Sequence, residues 1–271
     1  MIDDSNQSLR FQFGTNWKRF LSSLDDRQIA AAEESMKQML EAEDLHGKRF
    51  VDVGSGSGLS SLAARRLGAT VLSFDYDAES VACTRYLKNQ FFPNDPNWIV
   101  QSGSVLDSQW LKSLEQYDIV YSWGVLHHTG AMWQALDNID CLVMPGGKLF
   151  ISIYNDQGRV SDLWRMVKRL YNLTPRGLRF AFVLPALAVF WGPHTVMDFF
   201  RLRPFQTWRT YKKSRGMSPW WDLVDWVGGY PFEVATREMI LEFFVKRGYR
   251  LQKLNSCGHG LGCNEFVFTK L

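Results

Sequence analysis

Apolar residues recur at two spacings along the first third of the chain, and these spacings predict alternating helices and strands. Residues 25–43 carry apolar side chains at helical spacing after an acidic start, which is typical of a helix N-terminus. The apolar run RFVDVG then ends in Gly54, a helix is expected from about 59 to 67, and TVLSFD forms a second buried strand. This order predicts a β-α-β unit with a right-handed crossover.

The alternation continues to residue 154 and resumes near the end of the chain. The strands are apolar nearly throughout, which predicts a parallel sheet covered on both faces and the doubly wound α/β class. Only a short glycine-rich turn separates the final runs YRLQKLNS and NEFVFTK, so this pair must be antiparallel. The further elements expected are helices at 78–89, 108–114, 131–142 and 236–247, and strands at 98–102, 117–123 and 146–154.

Residues 154–235 interrupt this alternation, and a stretch of that length predicts a functional elaboration with its own helices. Its first part, 154–215, contains twelve Lys and Arg residues against three Asp, a local charge of +9. Within it, 180–197 has no charged residue but contains Pro185 and Pro193. The run is marginal in length for a membrane-spanning helix, and we expect the two prolines to interrupt any such helix.

Composition places the chain among globular proteins. It has 271 residues, 46% of them hydrophobic and 22% charged, which suffices for a sizeable core and excludes a disordered polymer. The overall formal charge of +3 does not by itself indicate a nucleic-acid partner. Four cysteines are few for this length, and the first residues lack the pattern of a signal peptide, so we expect a reducing, cytoplasmic location.

The segment VDVGSGSG indicates a nucleoside-binding loop. It places Gly54, Gly56 and Gly58 after a strand and before a helix, where the backbone must turn sharply and let a ligand approach. Asp75 ends the next strand, and a carboxylate there can accept hydrogen bonds from both ribose hydroxyls. The glycine spacing, with Asp52 two residues ahead, differs from the dinucleotide pattern G-x-G-x-x-G. The order of strand, glycine loop, helix, second strand and Asp75 therefore predicts a cofactor that contains adenosine.

With these residues the chain resembles the class I S-adenosylmethionine-dependent methyltransferases, from about Val51 to Gly147 and again at the antiparallel end. The motifs that carry the resemblance are the acidic glycine loop 52–58, Asp75, GSVLD at 103–107, WGVLHH at 123–128 and PGG at 145–147. The resemblance implies a Rossmann-like sheet of seven strands with the last one reversed, and S-adenosyl-L-methionine as cofactor. It also implies a set of cofactor-binding residues, namely Asp52, Gly54, Ser55, Gly56, Gly58, Asp75, Tyr76, Ser104, Val105 and Trp123.

On this interpretation the chain has four parts. Residues 1–45 form an N-terminal helical lid, in which Phe13, Asn16 and Trp17 cover the cofactor or simply pack a helix on the sheet. Residues 46–153 form the cofactor-binding core, and 236–271 complete its sheet. Residues 154–235 form a helical cap that carries the acceptor.

Two adjacent histidines are candidates for catalysis. His127 and His128 follow the fourth strand, at the sheet edge where α/β proteins bind ligands, and a histidine there can take up a proton near neutral pH. Alternatively, one of them caps the helix expected near Thr129 or supports the cofactor pocket. The pair resembles those of tRNA wobble-uridine and quinone-ring methyltransferases, so it does not identify the substrate.

The stretch WWDLVDWVGGYPFE, 220–233, offers aromatic walls with a few polar groups, as a small-molecule pocket requires. The alternative is a core hairpin or turn that anchors the insert. No metal is expected, because the spacing of Cys257, His259 and Cys263 does not match a zinc site. The candidate substrate residues are Trp221, Tyr230, Glu233 and Asn264.

Three functions are compatible with these features. The first is methyl transfer to an oxygen or nitrogen of a small metabolite, sugar or lipid-linked acceptor. The second is tRNA methylation, in which the basic insert binds phosphates. The third is a non-catalytic subunit that binds the cofactor and supports a partner. We rank them in this order because RNA binding does not require the long uncharged run. For the insert, a folded cap ranks ahead of contact with a membrane surface.

Overall fold

The computed structural model describes residues 10–11, 13–215, 219–258 and 260–271, without the side chains of Thr15 and residues 212–215. Its described strands form one sheet in the order β3-β2-β1-β4-β5-β7-β6. Neighbours among β1 to β5 are parallel, whereas β7 runs antiparallel to both β5 and β6. The predicted fold class is therefore confirmed. The strands are β1 (Arg49–Val53), β2 (Thr70–Asp75), β3 (Trp98–Ser102), β4 (Tyr117–Trp123), β5 (Val143–Tyr154), β6 (Tyr249–Asn255) and β7 (Cys263–Lys270).

Helices cover both faces of this sheet, which explains why its strands are apolar on both sides. One buried cluster includes Leu136 and Phe244, and the other includes Met36 and Leu62. The helices are α1 (Gly14–Leu21), α2 (Asp26–Leu40), α3 (Leu59–Arg66), α4 (Ala78–Phe91), α5 (Ser108–Lys112), α6 (Met132–Asn138), α7 (Arg159–Leu173), α8 (Phe180–Phe200), α9 (Gln206–Arg215), α10 (Pro219–Gly228) and α11 (Arg237–Val245).

Local signals fix where several of these helices begin. The side chain of Asp25 accepts a hydrogen bond from the backbone N–H of Gln28 at 2.9 Å, and the side chain of Gln28 accepts one from the backbone N–H of Asp25 at 2.8 Å. This reciprocal capping box satisfies two N–H groups that the helix itself leaves free. Thr236 caps α11 in the same position, with its hydroxyl accepting from Met239.

The insert between β5 and α11 contains α7, α8, α9 and α10, which pack around a core of their own. Its buried residues come from three helices, with Tyr171 on α7, Val183 and Ala186 on α8, and Leu223 and Val227 on α10. On the side facing the sheet, the N–H of Ala235 donates to the carbonyl of Tyr154 at 3.1 Å, so the two ends of the insert meet at the end of β5. The insert is thus anchored where that strand ends.

The helix α8 runs without interruption through Pro185 and Pro193, so our expectation that these prolines would break it was wrong. Each proline removes the N–H that would bond to the carbonyl four residues earlier, here those of Ala181 and Val189. Both of these residues are exposed, and water can therefore satisfy the freed carbonyls. The opposite face of the helix packs into the core of the insert, and this packing offsets the lost hydrogen bonds.

Replacing Pro193 by alanine is expected to stabilise the protein. An interior helical proline costs about 3 kcal/mol relative to alanine. Alanine also gives the unfolded chain more conformational freedom, which reduces the gain in stability by roughly 0.4–1 kcal/mol. We expect the free energy of unfolding, measured by urea denaturation, to rise by about 2 kcal/mol. Pro175→Ala, at a position outside the α-helices, is the matched control. A Pro193→Ala variant no more stable than the parent would contradict a continuous α8.

Candidate functional site

The glycine loop lies at the edge where the parallel strands end. The N–H groups of Gly54 and Ser55 both donate to the carbonyl of Phe74, which ties the loop to β2. Gly54, Gly56 and Gly58 all have positive φ, at 81°, 53° and 83°. A Cβ on Gly54 would collide with the Val125 side chain, and one on Gly58 would lie 2.8 Å from the Cα of a residue on α4. Only glycine therefore allows this loop conformation.

Asp75 lies directly beside the loop. Its carboxylate accepts hydrogen bonds from the N–H groups of Gly56 and Asp77, both at 2.9 Å. Partial burial raises the pKa of Asp75 to about 6, so the group is ionised at neutral pH. The next residue, Tyr76, is exposed. An ionised carboxylate with remaining acceptor capacity thus stands at the position predicted for ribose recognition.

Asp52 lies in β1, two residues before the glycine loop, and is buried. Its carboxyl accepts from the hydroxyl of Ser61 at 2.6 Å, Ser61 accepts from Ser73, and Ser73 accepts from the indole N–H of Trp98. Burial raises the pKa of Asp52 to about 7, and the nearby charge of Asp75 adds to this. The structure therefore places Asp52 in a buried hydrogen-bond chain beneath the loop.

The other predicted cofactor residues lie on or near the same edge. Ser55 shares a 2.8 Å hydrogen bond with the hydroxyl of Thr84 on α4. Ser104 and the buried Val105 form the turn after β3. Trp123 ends β4 with 46% of its surface exposed, and its indole donates to Glu265 at 2.6 Å. The exposed aromatic side chain of Trp123 is thus held in place by Glu265 on β7.

The helix α1 packs over the glycine loop. A Cβ on Gly56 would lie 3.1 Å from the indole of Trp17, and the N–H of Gly14 donates to Asp77 at 3.0 Å. On its other side, α1 reaches the insert, because the amide of Asn16 donates to the carboxylate of Asp225. Burial raises the pKa of Asp225 to about 7. One short helix therefore contacts both the loop and the insert.

His127 and His128 form a short 3₁₀ segment after β4. His127 is fully buried, and within the described part of the chain neither of its ring nitrogens makes a well-formed hydrogen bond. Burial, with smaller contributions from His128 and Lys168, holds the pKa of His127 well below its usual value, although the backbone of Ser152 acts in the opposite direction. The ring is therefore neutral at physiological pH. His128 is fixed by a 2.7 Å hydrogen bond to the carbonyl of Pro231.

Aromatic rings from β5 and the insert surround this pair. The ring centroid of Tyr154 lies 4.1 Å from that of His127, 5.5 Å from that of Trp226 and 5.2 Å from that of Phe232. The buried Nζ of Lys168 lies over the last two rings, at 4.4 and 4.7 Å from their centroids, and donates to the carbonyl of Trp226. Burial lowers the pKa of Lys168 to about 7. We use the term aromatic cluster for the set His127, His128, Tyr154, Lys168, Trp226 and Phe232.

Polar groups without a partner collect around the aromatic cluster. The indole nitrogen of Trp226 and the hydroxyl of Ser152 on β5 are both buried and unbonded among the described residues, like the ring nitrogens of His127. Such groups are costly to bury and are normally satisfied by protein, water or a ligand. Their concentration at the edge of the sheet is typical of a binding site.

The structure distributes the predicted substrate residues over several roles. The stretch containing Trp221 is the helix α10, and the Trp221 ring lies 3.9 Å from the Arg19 guanidinium. Tyr230 accepts a backbone hydrogen bond from Phe11, and Glu233 accepts from the N–H of Met132 at the start of α6. The carboxamide of Asn264 in β7 is hydrogen-bonded to Asn155 after β5 and to Ser256 and Cys257 in the turn before β7. Their part in substrate binding stays a prediction.

Lys168, Ser152 and Tyr154 were not predicted as members of the site, whereas Trp226 lies in the aromatic stretch 220–233 that the sequence indicated. Lys168 was counted only as one of twelve cations. Its position in α7, four residues after Trp164 and three before Tyr171, puts it on the apolar face of that helix, and this spacing was the signal that could have identified it. His259, considered for metal binding, lies outside the described residues, so the expectation of no metal stays a prediction.

Burial of His128 makes stability dependent on pH. Its pKa is lowered to about 3 by burial, so below pH 6.5 the unfolded chain binds a proton that the folded chain excludes. This group therefore destabilises the fold progressively as pH falls from 6.5 towards 3. We expect His128→Gln to flatten the decline of the unfolding free energy between pH 6.5 and 5 by about 1 kcal/mol per pH unit. Urea titrations at several pH values measure the slope, with His46→Gln as the surface control; an unchanged slope would contradict a neutral, buried His128.

Comparisons with known proteins agree with this geometry. A family model described as a methyltransferase domain matches residues 25–214. A ubiquinone biosynthesis O-methyltransferase from Coxiella burnetii is 30% identical over 135 residues, covering 49% of this chain and 55% of that protein. A protein of the same name from Klebsiella pneumoniae is 27% identical over 166 residues, covering 56% of this chain and 63% of its own length. The chain thus spans little more than half the length of these curated relatives.

Solved structures share the fold over nearly the whole chain. Magnesium protoporphyrin IX methyltransferase from Synechocystis PCC 6803, solved with bound SAH, superposes with a TM-score of 0.58 at 12% identity and covers 98% of both chains. A SAM-dependent methyltransferase from Aquifex aeolicus superposes with a TM-score of 0.52 at 12% identity, covering 94% of this chain and 98% of that one. With the glycine loop, the acid at the end of β2 and a family match over most of its length, the chain belongs to the methyltransferase domain family.

Proposed function

We propose that this protein transfers a methyl group from S-adenosyl-L-methionine to a hydroxyl oxygen of a small, largely apolar acceptor bound at the aromatic cluster. The observation that carries the proposal is His127, which is fully buried with both ring nitrogens unpaired among the described residues, beside the unpaired hydroxyl of Ser152. These groups offer hydrogen bonds to a ligand that aromatic rings enclose. The name of the curated relatives supports the choice of oxygen.

The residues of the glycine loop fit the cofactor. The backbone of Gly54 and Gly56 remains partly accessible in the loop, where a side chain has no room, and this suits the cofactor's amino-acid end. Asp75 is ionised and available to the ribose hydroxyls, and the exposed rings of Tyr76 and Trp123 offer flat apolar surfaces to the adenosine. The bound cofactor would supply an electrophilic methyl group on a sulfonium sulfur.

The chain's own residues orient the acceptor hydroxyl and take up its proton. A neutral His127 can accept a hydrogen bond from the acceptor hydroxyl, which orients an oxygen lone pair, and can take up the proton as the new O–C bond forms. Lys168 is charged below a pH of about 7, and its ammonium would lower the pKa of an acceptor hydroxyl bound beside it, which favours release of the proton to His127. His128, held by the Pro231 carbonyl, keeps the 3₁₀ segment in place.

The same arrangement favours a small molecule over RNA. The groups around His127 are buried, and the insert helices that enclose them pack through apolar rings, such as the stacked pair Trp164 and Phe190 with centroids 5.6 Å apart. A tRNA base would have to be extruded and inserted at this point, at a cost of a few kcal/mol. A free metabolite needs no such step.

Asp75→Ala is expected to weaken cofactor binding. The substitution removes two charge-assisted hydrogen bonds to the ribose, each contributing about 1.5–3 kcal/mol, of which water recovers a part. Calorimetry with S-adenosylhomocysteine should therefore show a loss of roughly 2–4 kcal/mol. Asp118→Ala removes a carboxylate at the start of β4, on the opposite edge of the sheet, and should leave the affinity unchanged. Equal affinities of Asp75→Ala and the parent, or tight NAD binding by the parent, would refute the assignment.

His127→Ala is expected to lower kcat by about 100-fold, because misplacing a reacting atom or losing a proton acceptor has an effect of that order. Cofactor affinity should stay within a factor of about two, since the ring does not belong to the glycine loop. Steady-state kinetics and calorimetry separate the two effects, and His46→Ala is the control. A variant with the parent's kcat would exclude His127 from the reaction.

The acceptor class can be tested directly with a labelled methyl donor. We would offer catechols and other phenols related to quinone precursors, simple amines, and total tRNA, and locate the label by mass spectrometry. Label on a phenolic oxygen is the expected outcome. Label found only on nitrogen or in tRNA would overturn the proposed acceptor while leaving methyl transfer itself established.

A further inference from the structure

The helix α8 turns a continuous apolar face to the solvent. With the turn before it, the helical stretch Arg176–Phe200 is long and apolar enough to cross a membrane by length and composition, and only 11% of its most apolar window is buried. Val189 is 67% exposed and Phe200 is 83% exposed. An apolar groove of about 510 Å³ lies at the far end of the helix. Exposed apolar surface of this extent marks an interaction site.

The neighbouring helix α7 repeats the pattern. Its exposed apolar residues recur every three or four positions and therefore form one stripe, opposite the face that packs into the insert. In the turn after α8, Leu202 is a further exposed apolar residue, with 89% of its surface accessible. The stripe on α7 consists of Val160, Leu163, Met166, Leu170 and Leu173.

Positive charges border the apolar face of α8 at both ends. Arg176 precedes the helix, and Arg201 and Arg203 follow it, and all three are exposed. The aliphatic part of an arginine can lie along apolar surface while its guanidinium remains in water. Apolar side chains flanked by cations are complementary to an anionic lipid surface, which offers acyl chains below a layer of phosphates.

The structure is incompatible with α8 crossing the bilayer. Its inner face packs against α10 through Val183 and Ala186, so a spanning α8 would take α10 with its two carboxylates, Asp222 and Asp225, into hydrocarbon. In addition, the carbonyls freed by the two prolines belong to exposed residues and require water. Both constraints are met if the helix lies flat at the level of the lipid headgroups.

A second copy of the chain fits the exposed face of α8 less well than an anionic membrane does. Two such faces in contact would bring together the arginines at their ends, and like charges at an interface cost several kcal/mol unless they are separated. No such repulsion arises with an anionic membrane.

We infer that the outer apolar face of α8, flanked by Arg176, Arg201 and Arg203, binds the surface of an anionic membrane. The inner face of the same helix adjoins the aromatic cluster, because Phe190 lies 6.2 Å from Trp226, centroid to centroid. Membrane binding would therefore place the proposed acceptor site beside the lipid. The inference itself rests on exposure and charge and does not require the proposed function.

Cosedimentation with vesicles tests the inference. We would use phosphatidylcholine vesicles with and without an equal share of phosphatidylglycerol, at low and high salt. The full chain should pellet with the anionic vesicles, less so at high salt, and a residual fraction should stay bound through apolar contacts. The double variant Leu184→Glu/Val189→Glu should reduce vesicle binding at least tenfold. Arg176→Gln/Arg203→Gln should abolish the preference for anionic vesicles.

The matched control is Tyr86→Glu/Ile99→Glu, which places two carboxylates at equally exposed apolar positions elsewhere and should bind vesicles like the parent. Calorimetry with S-adenosylhomocysteine checks that each variant remains folded. Failure of the parent to pellet, or equal losses in the control and in the α8 variant, would overturn the inference. So would a dimer in solution that Leu184→Glu/Val189→Glu dissociates, or tight tRNA binding without vesicle binding.

Discussion

Parallel pairing of β1 with β2 and β4 brings chemically different residues to a single edge of the sheet. The pairing of Asp52 with Ser73 and Tyr121 aligns the ends of the three strands, so the glycine loop, Asp75 and the 3₁₀ segment with His127 follow on one edge. Val125, the residue before that segment, packs against the loop, because its side chain occupies the space that a Cβ on Gly54 would need. The conformation of the glycine loop and the position of the proposed proton acceptor therefore depend on the same contact between Val125 and Gly54.

The insert adds a desolvated environment to that edge. Burial removes the Lys168 ammonium from water and lowers its pKa, although the charge of Asp225, two aromatic rings and one carbonyl favour the charged form. The neutral ring of His127 reflects the same exclusion of water. Such groups reduce stability, and they persist where electrostatic interactions with a ligand are stronger than they would be in solvent.

Features with a local cause were predictable from the sequence, whereas those set by distant contacts were not. The strands, the reversed β7 and the glycine loop with Asp75 follow from apolar runs and short turns. The prolines in α8 gave a misleading local signal, because packing against α10, a separate helix of the insert, stabilises α8. The carboxylate of Glu233 accepts a hydrogen bond from the N–H of Met132 at the start of α6, a contact between positions 101 residues apart. Such pairings have no periodicity to reveal them.

The position of α1 has a consequence for the order of events in turnover. Trp17 covers Gly56 in the loop, while one residue earlier Asn16 is bonded to Asp225 of the insert. If cofactor binding displaces Trp17, the eight-residue helix α1, about two turns long, would transmit that displacement to the Asn16 contact. Cofactor binding at the loop and acceptor binding at the insert would then be coupled, and by thermodynamic reciprocity each ligand would alter the affinity of the other by the same factor.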